Sequence, residues 1–319
     1  MTTYNDWIEK TWRRVYSGAN DSIVQLATAI TPTTLTFGVT PAQATVMRNG
    51  AILAVDLEVM LVVNWNQNNG TATVVRGYEG SVPCAHDINA LVYVQPKFSK
   101  FDIGVALNDE LKRLSSPDLG LFQVGVSTVT YNPVYMGYDL GTIPNDFIDV
   151  LEIRHKIPFP TRNYPKISKW KVLRSIPDAT VFPSGAGIVI YEGGYPGQPF
   201  YIQYSAPFTP LGNILNNDGP NGSPFSLNLT DTLDQNVADI SGMLNPATDI
   251  PPLGAEIQLT LPREIKRNFM ESQPDPRKAL EVLAGNVSNS VQALTILYNE
   301  RVGEEAARLQ RQYTRTEGW

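Results

Sequence analysis

The chain has 319 residues, which is enough for two or three hydrophobic cores, and only 18% of them are charged. A net charge of −6 argues against a sequence-specific nucleic-acid partner, and a single cysteine excludes an internal disulfide framework and a four-cysteine zinc site. No segment approaches the ~20 apolar residues that span a bilayer, and the amino terminus lacks the apolar core of a signal peptide. We therefore expect an intracellular product with no membrane partner, and the 24 glycines and 24 prolines indicate many turns and short strands.

An amphipathic helix is predicted over residues 3–17, in an N-terminal segment that we place at 1–20. Apolar side chains including Trp7 and Trp12 fall near one face, and Gly18 is placed to end the helix. Exposing two tryptophans on a terminal helix would cost free energy. We therefore expect this helix to dock on the chain's own core or on a neighbouring subunit, and both tryptophans are candidate interface residues.

Hydrophobic side chains alternate from residue 21 to residue 97, which predicts a small antiparallel β module. Its predicted strands are 23–26, 34–37, 51–55, 58–65, 71–75 and 91–94. Residues 66–70 are rich in asparagine and end in glycine, and both residue types tolerate the positive φ of a hairpin turn.

The most informative stretch is 71–94, where a strand runs into a glycine-punctuated turn at 76–81 and then into a loop that carries a histidine. The Arg76 guanidinium is expected to bond loop carbonyls or a carboxylate such as Glu79 or Asp87, and thereby to fix the hairpin. The alternative is that Arg76 lies in a subunit interface, where arginine is over-represented. We predict a structural turn made by Arg76, Gly77, Gly80 and His86.

A linker helix is predicted over 98–114, within a segment 98–116 that ends at a Ser-Ser-Pro break. Beyond it, residues 117–215 are assigned to a second and larger β domain. Because Pro- and Gly-rich loops separate its strands, we expect a β-sandwich of jelly-roll type. The predicted strands of this domain are 124–131, 148–154, 170–173, 187–191 and 200–204.

The remaining chain is expected to contain an extended loop or arm and then helices. Residues 216–261, which include an Asn-, Asp- and Gly-rich stretch, are assigned to an arm or to an ordinary long loop. Residues 262–319 are assigned to a C-terminal helical region, in which Pro262 begins a helix that runs to about residue 269. A second helix is predicted over 286–313. The fold class is therefore mainly β with helical termini.

No motif in the sequence identifies a catalytic, cofactor-binding or metal site. There are two histidines, His86 and His155, and no spacing typical of a metalloenzyme. Cys84 and His86 could share one face as a nucleophile and its base, but neither a third orienting group nor an oxyanion site is recognisable. We therefore predict a loop-stabilising role for His86, a strand-end surface pair of Arg154 and His155, and a protein that is not an enzyme and needs no cofactor.

Three stretches of the chain resemble those of structural proteins from siphophages of actinobacterial hosts. The first contains the pattern Arg-Gly, two residues, Gly-Ser at 76–81, with His86 downstream. The other two are 106–117, which contains Ala-Leu-Asn-Asp-Glu-Leu, and 249–277, which contains Asp-Ile-Pro-Pro-Leu-Gly-Ala. Ser81 stands where threonine is common, and 87–89 where a glycine is often found, and these changes affect only the turn.

This resemblance implies a non-enzymatic virion component that self-associates into a ring or collar at the head-to-tail connection, the neck of the particle. It implies portal, adaptor or tail proteins as partners and assembly in the host cytoplasm. The aromatic end of the C-terminal helical region suits insertion into a neighbouring ring. The candidate interface residues are therefore Trp7, Trp12, Tyr298, Tyr313 and Trp319.

The alternative is a minor tail, tail-tip or decoration protein whose β-sandwich binds host-surface glycan. Aromatic side chains would then form a platform for sugar rings. The candidates are Tyr131, Tyr135, Tyr138, Tyr164, Tyr195 and Tyr201. Packing within the sandwich is the other interpretation of these tyrosines.

Overall fold

The computed structural model describes residues 3–16, 22–40, 46–144, 146–158, 164–209, 241–243, 245–271 and 286–313. It shows a mainly β protein with helices towards both ends, as predicted. The chain divides into two compact units. The first lies within Met1–Leu111, Pro210–Ser241 and Asn245–Glu300, and the second within Lys112–Thr209, Gly242–Leu244 and Arg301–Trp319.

The small β module of the first unit is a closed antiparallel barrel. Its strands follow one another around the barrel in the order β1-β2-β5-β4-β3-β6, so that β6 pairs with β1 and no edge is left free. Alternate side chains point inward and form a core of Val, Leu, Ile, Phe, Met and Ala residues. The strands are β1 Ser22–Leu26, β2 Thr36–Thr40, β3 Ile52–Val55, β4 Glu58–Asn66, β5 Thr71–Val75 and β6 Leu91–Val94.

The turns of the barrel bring polar residues to one end of it. Asp56, in the tight turn between β3 and β4, has a φ of 52°. After β5, Gly77 has a φ of 64° and leads into a 3-10 turn, Tyr78–Gly80. The following loop is tied back by a bridge in which Ile30 and His86 exchange two backbone hydrogen bonds of 2.9 Å. This bridge fixes the histidine next to the start of β4.

The described residues also form four α-helices and a short 3-10 helix, Asn245–Ala247. The α-helices are α1 Tyr4–Val15, α2 Lys100–Leu114, α3 Ile250–Glu271 and α4 Asn286–Gln312. α1 begins with a capping box in which Thr3 and Asp6 bond each other's backbone N–H groups. It packs against α3, and its Trp7 is fully buried. None of the helices in the described ranges is both long and apolar enough to cross a membrane.

α3 begins twelve residues earlier than predicted. The expectation of a loop up to residue 261 and of a helix start at Pro262 is wrong, because the helix begins at Ile250 and continues through Pro262. Pro251 and Pro252 lie in its first turn, where a missing N–H breaks no intrahelical bond. Ile250 and Leu253 are buried in the first unit, and this packing stabilises the early start of the helix, which the sequence pattern alone does not predict.

The second unit contains the predicted β-sandwich, with sheets of four and three antiparallel strands. The sheets have the orders β10-β9-β13-β7 and β11-β12-β8. Side chains of both, such as Ile153 and Phe200 from the first and Trp170 and Ile188 from the second, form one core. The strands are β7 Gln123–Thr130, β8 Gly137–Asp139, β9 Asp149–His155, β10 Lys166–Ile167, β11 Trp170–Arg174, β12 Ala186–Ile190 and β13 Pro199–Ala206.

Candidate functional site

A buried group of charged and polar side chains lies at one end of the barrel. Glu58 is the first residue of β4 and is fully buried. The turn before β4, the residue after β5 and the loop before β6 each contribute side chains around it. We call this group the Glu58 cluster, and its members are Asp56, Glu58, Arg76, Cys84 and His86.

Arg76 uses all five of its N–H donors within the chain. Nε and Nη2 donate to the two carboxylate oxygens of Glu58 at 2.5 and 2.7 Å, which is a bidentate pair. Nη1 donates to the carbonyls of Thr31 at 2.7 Å and Thr34 at 3.0 Å, and Nη2 donates also to the carbonyl of Cys84 at 2.6 Å. With only 3% of its side chain exposed, Arg76 ties three separate segments to β4.

Glu58 accepts further hydrogen bonds from the loop after β5. The backbone N–H groups of Gly77 and Cys84 donate to it at 3.3 and 3.1 Å. Burial by itself raises the pKa of the Glu58 carboxyl, but hydrogen bonds from Arg76, His86 and Cys84 outweigh burial and hold that pKa well below its usual range. Glu58 is therefore a carboxylate at the centre of the cluster.

His86 lies between two carboxylates. Its Nδ1 is 3.0 Å from Oδ2 of Asp56, and its Nε2 is 2.9 Å from Oε2 of Glu58 and 3.4 Å from Sγ of Cys84. Burial lowers the pKa of His86, but the hydrogen bonds to Asp56, Cys84 and Glu58 have the larger combined effect and raise it. In this arrangement the charges of Arg76 and His86 balance those of the two carboxylates.

The order thiol, imidazole, carboxylate along Cys84, His86 and Asp56 is the order found in cysteine nucleophile sites. Asp56 is thus the third group that the sequence did not reveal. However, Nε2 of His86 and the backbone N–H of Cys84 both point at the buried Glu58, so a substrate carbonyl would have to displace that carboxylate. The geometry favours holding the loop over attacking a substrate.

Glu58, Cys84 and His86 are also a possible set of metal ligands, since one ligand atom from each lies within 4.8 Å of the others. The sequence pointed away from a metal site because it contains no recognisable spacing of ligands. The signal that it does contain is a charged residue, Glu58, directly before five apolar residues of β4.

The structure brings Arg76, Gly77 and His86 of the predicted turn together around Glu58, and Gly80 contributes a positive φ of 84° to the turn. Arg76 bonds loop carbonyls, as expected. Its carboxylate partner is Glu58, and the expectation of Glu79 or Asp87 as that partner is wrong, because both of those side chains are exposed. The reason is distance along the chain: Glu58 lies 18 residues before Arg76, and only the pairing of β4 with β5 brings them together.

Two of the candidate interface residues are buried within the first unit, and burial of Trp7 agrees with the first of the two alternatives expected for the N-terminal helix, docking on the chain's own core. Trp7 is 0% exposed, and Tyr298 is 3% exposed and donates to Glu110 at 2.6 Å. Trp12 is half-buried and stacks on Tyr16 with ring centroids 4.9 Å apart. Tyr313 is half-buried, and Trp319 lies outside the described residues, as does most of the predicted arm.

The tyrosines of the sandwich divide into packed and exposed side chains. Tyr138 is buried and bonds the carbonyl of Asn132, and Tyr131 packs on Phe200. Three other tyrosines reach the surface, with exposed fractions of 60% for Tyr135, 41% for Tyr195 and 39% for Tyr164. The ring of Tyr164 contacts that of Tyr201, which is half-buried. At the end of β9, Arg154 is exposed and pairs with Glu152, and His155 is half-buried.

Comparison with known protein families finds no family model that matches the chain, and no curated protein matches it.

Proposed function

We propose that this protein is a non-enzymatic structural component of a tailed-phage particle, which self-associates into a ring or collar at the head-to-tail connection. The observation that carries this proposal is the use of the phage-like turn as an internal brace. Every N–H donor of Arg76 is bonded to Glu58 or to a loop carbonyl. Such a brace stiffens a loop of the barrel, which suits a subunit that must keep its conformation within an assembled particle.

Apolar side chains on the outside of the barrel support self-association. Ile23 on β1 and Leu91 on β6 are 48% and 44% exposed. The two strands are paired, with Ile23 opposite Tyr93 and Gln25 opposite Leu91, so these side chains belong to one small surface. A neighbouring copy that covered this surface would remove it from water.

The proposed partners are further copies of this chain together with portal, adaptor or tail proteins of the virion. The low content of charged residues, 18%, suits a protein whose polar but weakly charged faces meet one another in an assembly. A net charge of −6 suits a wall along which DNA passes without being held. Neither sequence-specific nucleic acid nor a membrane is a proposed partner.

The mass of the full-length chain in solution, measured by light scattering with negative-stain images, tests the proposal. We expect rings, formed either by the chain alone or after portal protein is added. Leu91→Lys should shift the distribution towards monomers, because a charge cannot be buried in a self-contact. Gln67→Lys, on an exposed position of the turn after β4, is the control that should leave the rings intact. A monomer both with and without portal protein refutes the proposal.

The exposed tyrosines of the sandwich favour a second candidate, a tail-borne module that binds host-surface glycan. Tyr164 and Tyr195 present aromatic rings to solvent, and sugars stack on such rings. Binding of the intact chain in a glycan screen, reduced by Tyr164→Ala and by Tyr195→Ala, is the expected result for this candidate. A chain that binds no glycan or cell-wall fraction rules it out.

A further inference from the structure

The Glu58 cluster places three metal-ligating atoms around one point. Oε2 of Glu58 is 2.9 Å from Nε2 of His86, Sγ of Cys84 is 3.4 Å from that nitrogen, and Sγ and Oε2 are 3.8 Å apart. In a tetrahedral zinc site, bonds of ~2.0–2.3 Å place such ligand atoms ~3.3–3.6 Å from one another. Each observed separation therefore lies within about half an ångström of the value that a single ion requires.

We propose that Glu58, Cys84 and His86 bind one divalent transition-metal ion, and that Zn²⁺ is the ion this set suits best. A carboxylate oxygen, a thiolate sulfur and an imidazole nitrogen are the three ligand types that zinc takes in proteins. Three protein ligands leave a fourth coordination position for solvent. This metal site is independent of the structural role proposed above. Ring formation does not require the ion, and binding of the ion does not require ring formation.

The remaining members of the cluster are placed as outer supports of such a site. Oδ2 of Asp56 is 3.0 Å from Nδ1 of His86, so it keeps the proton on Nδ1 once Nε2 has lost its own proton to bind an ion. Arg76 holds both oxygens of Glu58 and fixes the plane of that carboxylate. Metal-binding histidines in proteins are commonly oriented by a carboxylate in this way.

Binding exchanges protons for the ion. The Cys84 thiol and Nε2 of His86 release their protons to solvent, and the lone pairs left on sulfur and nitrogen form the bonds to the metal. Glu58, Asp56 and the Cys84 thiolate then carry three negative charges. The ion supplies two positive charges and Arg76 supplies one, so the site is neutral. A neutral buried site avoids the cost of an uncompensated charge.

The composition of the chain makes the site testable with Co²⁺, which replaces zinc and has a visible spectrum. Cys84 is the single cysteine, so a thiolate-to-cobalt charge-transfer band can arise only from this cluster. We expect the reduced, chelator-treated full-length protein to bind one Co²⁺ with that band, and one equivalent of Zn²⁺ to remove the band. Absence of the band at Co²⁺ concentrations that saturate any binding overturns the proposal.

Three variants separate this site from adventitious binding. Cys84→Ser should abolish the band and lower Zn²⁺ affinity by more than the ~10–100-fold that the loss of an outer support costs, and the backbone groups of residue 84 that bond Glu58 and Arg76 remain in place. Asp56→Asn should keep the band and lower affinity by ~10–100-fold, as expected for a positioning residue. His155→Gln, which changes the other histidine, is the control. Loss of the band in that control, or unchanged Zn²⁺ affinity in Cys84→Ser, shows that the proposal is wrong.

Discussion

Replacing Arg76 by methionine removes the brace of the Glu58 cluster but keeps a long side chain. The side chains of Glu58 and Arg76 are 0% and 3% exposed, so water cannot take the place of the lost partner. Removing one member of a buried ion pair costs ~3–5 kcal/mol, because the other charge stays buried without its partner. His86 remains 2.9 Å from Glu58 but is shared with Asp56, so one negative charge of the cluster is left uncompensated. The carbonyls of Thr31, Thr34 and Cys84 also lose a donor. We expect a loss of at least ~4 kcal/mol, a large share of the ~5–15 kcal/mol that stabilises a domain.

The matched control is Arg154→Met in the sandwich. Arg154 also pairs with a glutamate, Glu152, whose side chain is 10% exposed, but 47% of the Arg154 side chain is exposed, so water reaches the pair from the arginine side. Exposed ion pairs contribute ~0–1 kcal/mol, because water and salt screen the charges. Lys166 remains 3.0 Å from Glu152 and still compensates its charge. The control should therefore cost no more than ~1 kcal/mol.

Hydrogen exchange of the full-length protein at a series of urea concentrations measures the unfolding of the two units separately. Peptides from β4 report on the barrel and peptides from β9 on the sandwich, and a chelator in the buffer removes any contribution from bound metal. Arg76→Met should lower the urea midpoint of β4 and leave that of β9 unchanged. Losses for the two variants that agree within ~0.5 kcal/mol would refute the argument from burial.

A second substitution tests the same reasoning from the other side of the ion pair. In the Arg76→Met background, Glu58→Gln should restore at least ~1 kcal/mol, because a buried amide needs no opposite charge. The recovery is read from the same β4 peptides. A further loss of stability in the double variant would contradict the view that the uncompensated carboxylate causes the damage.

Three smaller effects are expected in urea or thermal denaturation of the same chain. Gly77→Ala should cost more than Gly80→Ala, because both glycines have positive φ but only at Gly77 would a Cβ come within 2.9 Å of a backbone oxygen; equal losses would contradict this. Tyr298→Phe should cost ~1–3 kcal/mol, because it removes a donor from the buried Glu110 carboxylate, and a loss below the error of measurement would show that the bond is dispensable. Burial raises the pKa of Glu256 above its unfolded value, with a nearby arginine acting in the opposite direction, so the stability it contributes is present at acidic pH and lost as pH rises through the folded pKa. Glu256→Gln should therefore gain stability relative to the unchanged protein between pH 4 and pH 7, and a constant difference would refute the shift.

Local patterns were sufficient for most elements of this fold. The helices α1, α2 and α4 and all six barrel strands lie close to their predicted positions. Burial of one face makes apolar residues recur about every 3.6 residues in a helix and every second residue in a strand, and both patterns are visible in the sequence. The strands β8 and β10 were missed, since three and two residues are too few to show a period. The start of α3 was missed because its two early prolines resemble a loop when packing is unknown.

The candidate site follows the same rule as the fold: features of neighbouring residues can be predicted from the sequence, and contacts between distant residues cannot. The turn at 76–81 and the histidine after it stand out in a short window of sequence, and their glycines and arginine are the basis on which a structural role was predicted for them. No local pattern connects them with their common partner Glu58, because it lies 28 residues before His86, at the start of β4. Closure of the barrel decides that Glu58, Cys84 and His86 meet at one point, since separations between distant segments depend on strand pairing and register and not on any local pattern.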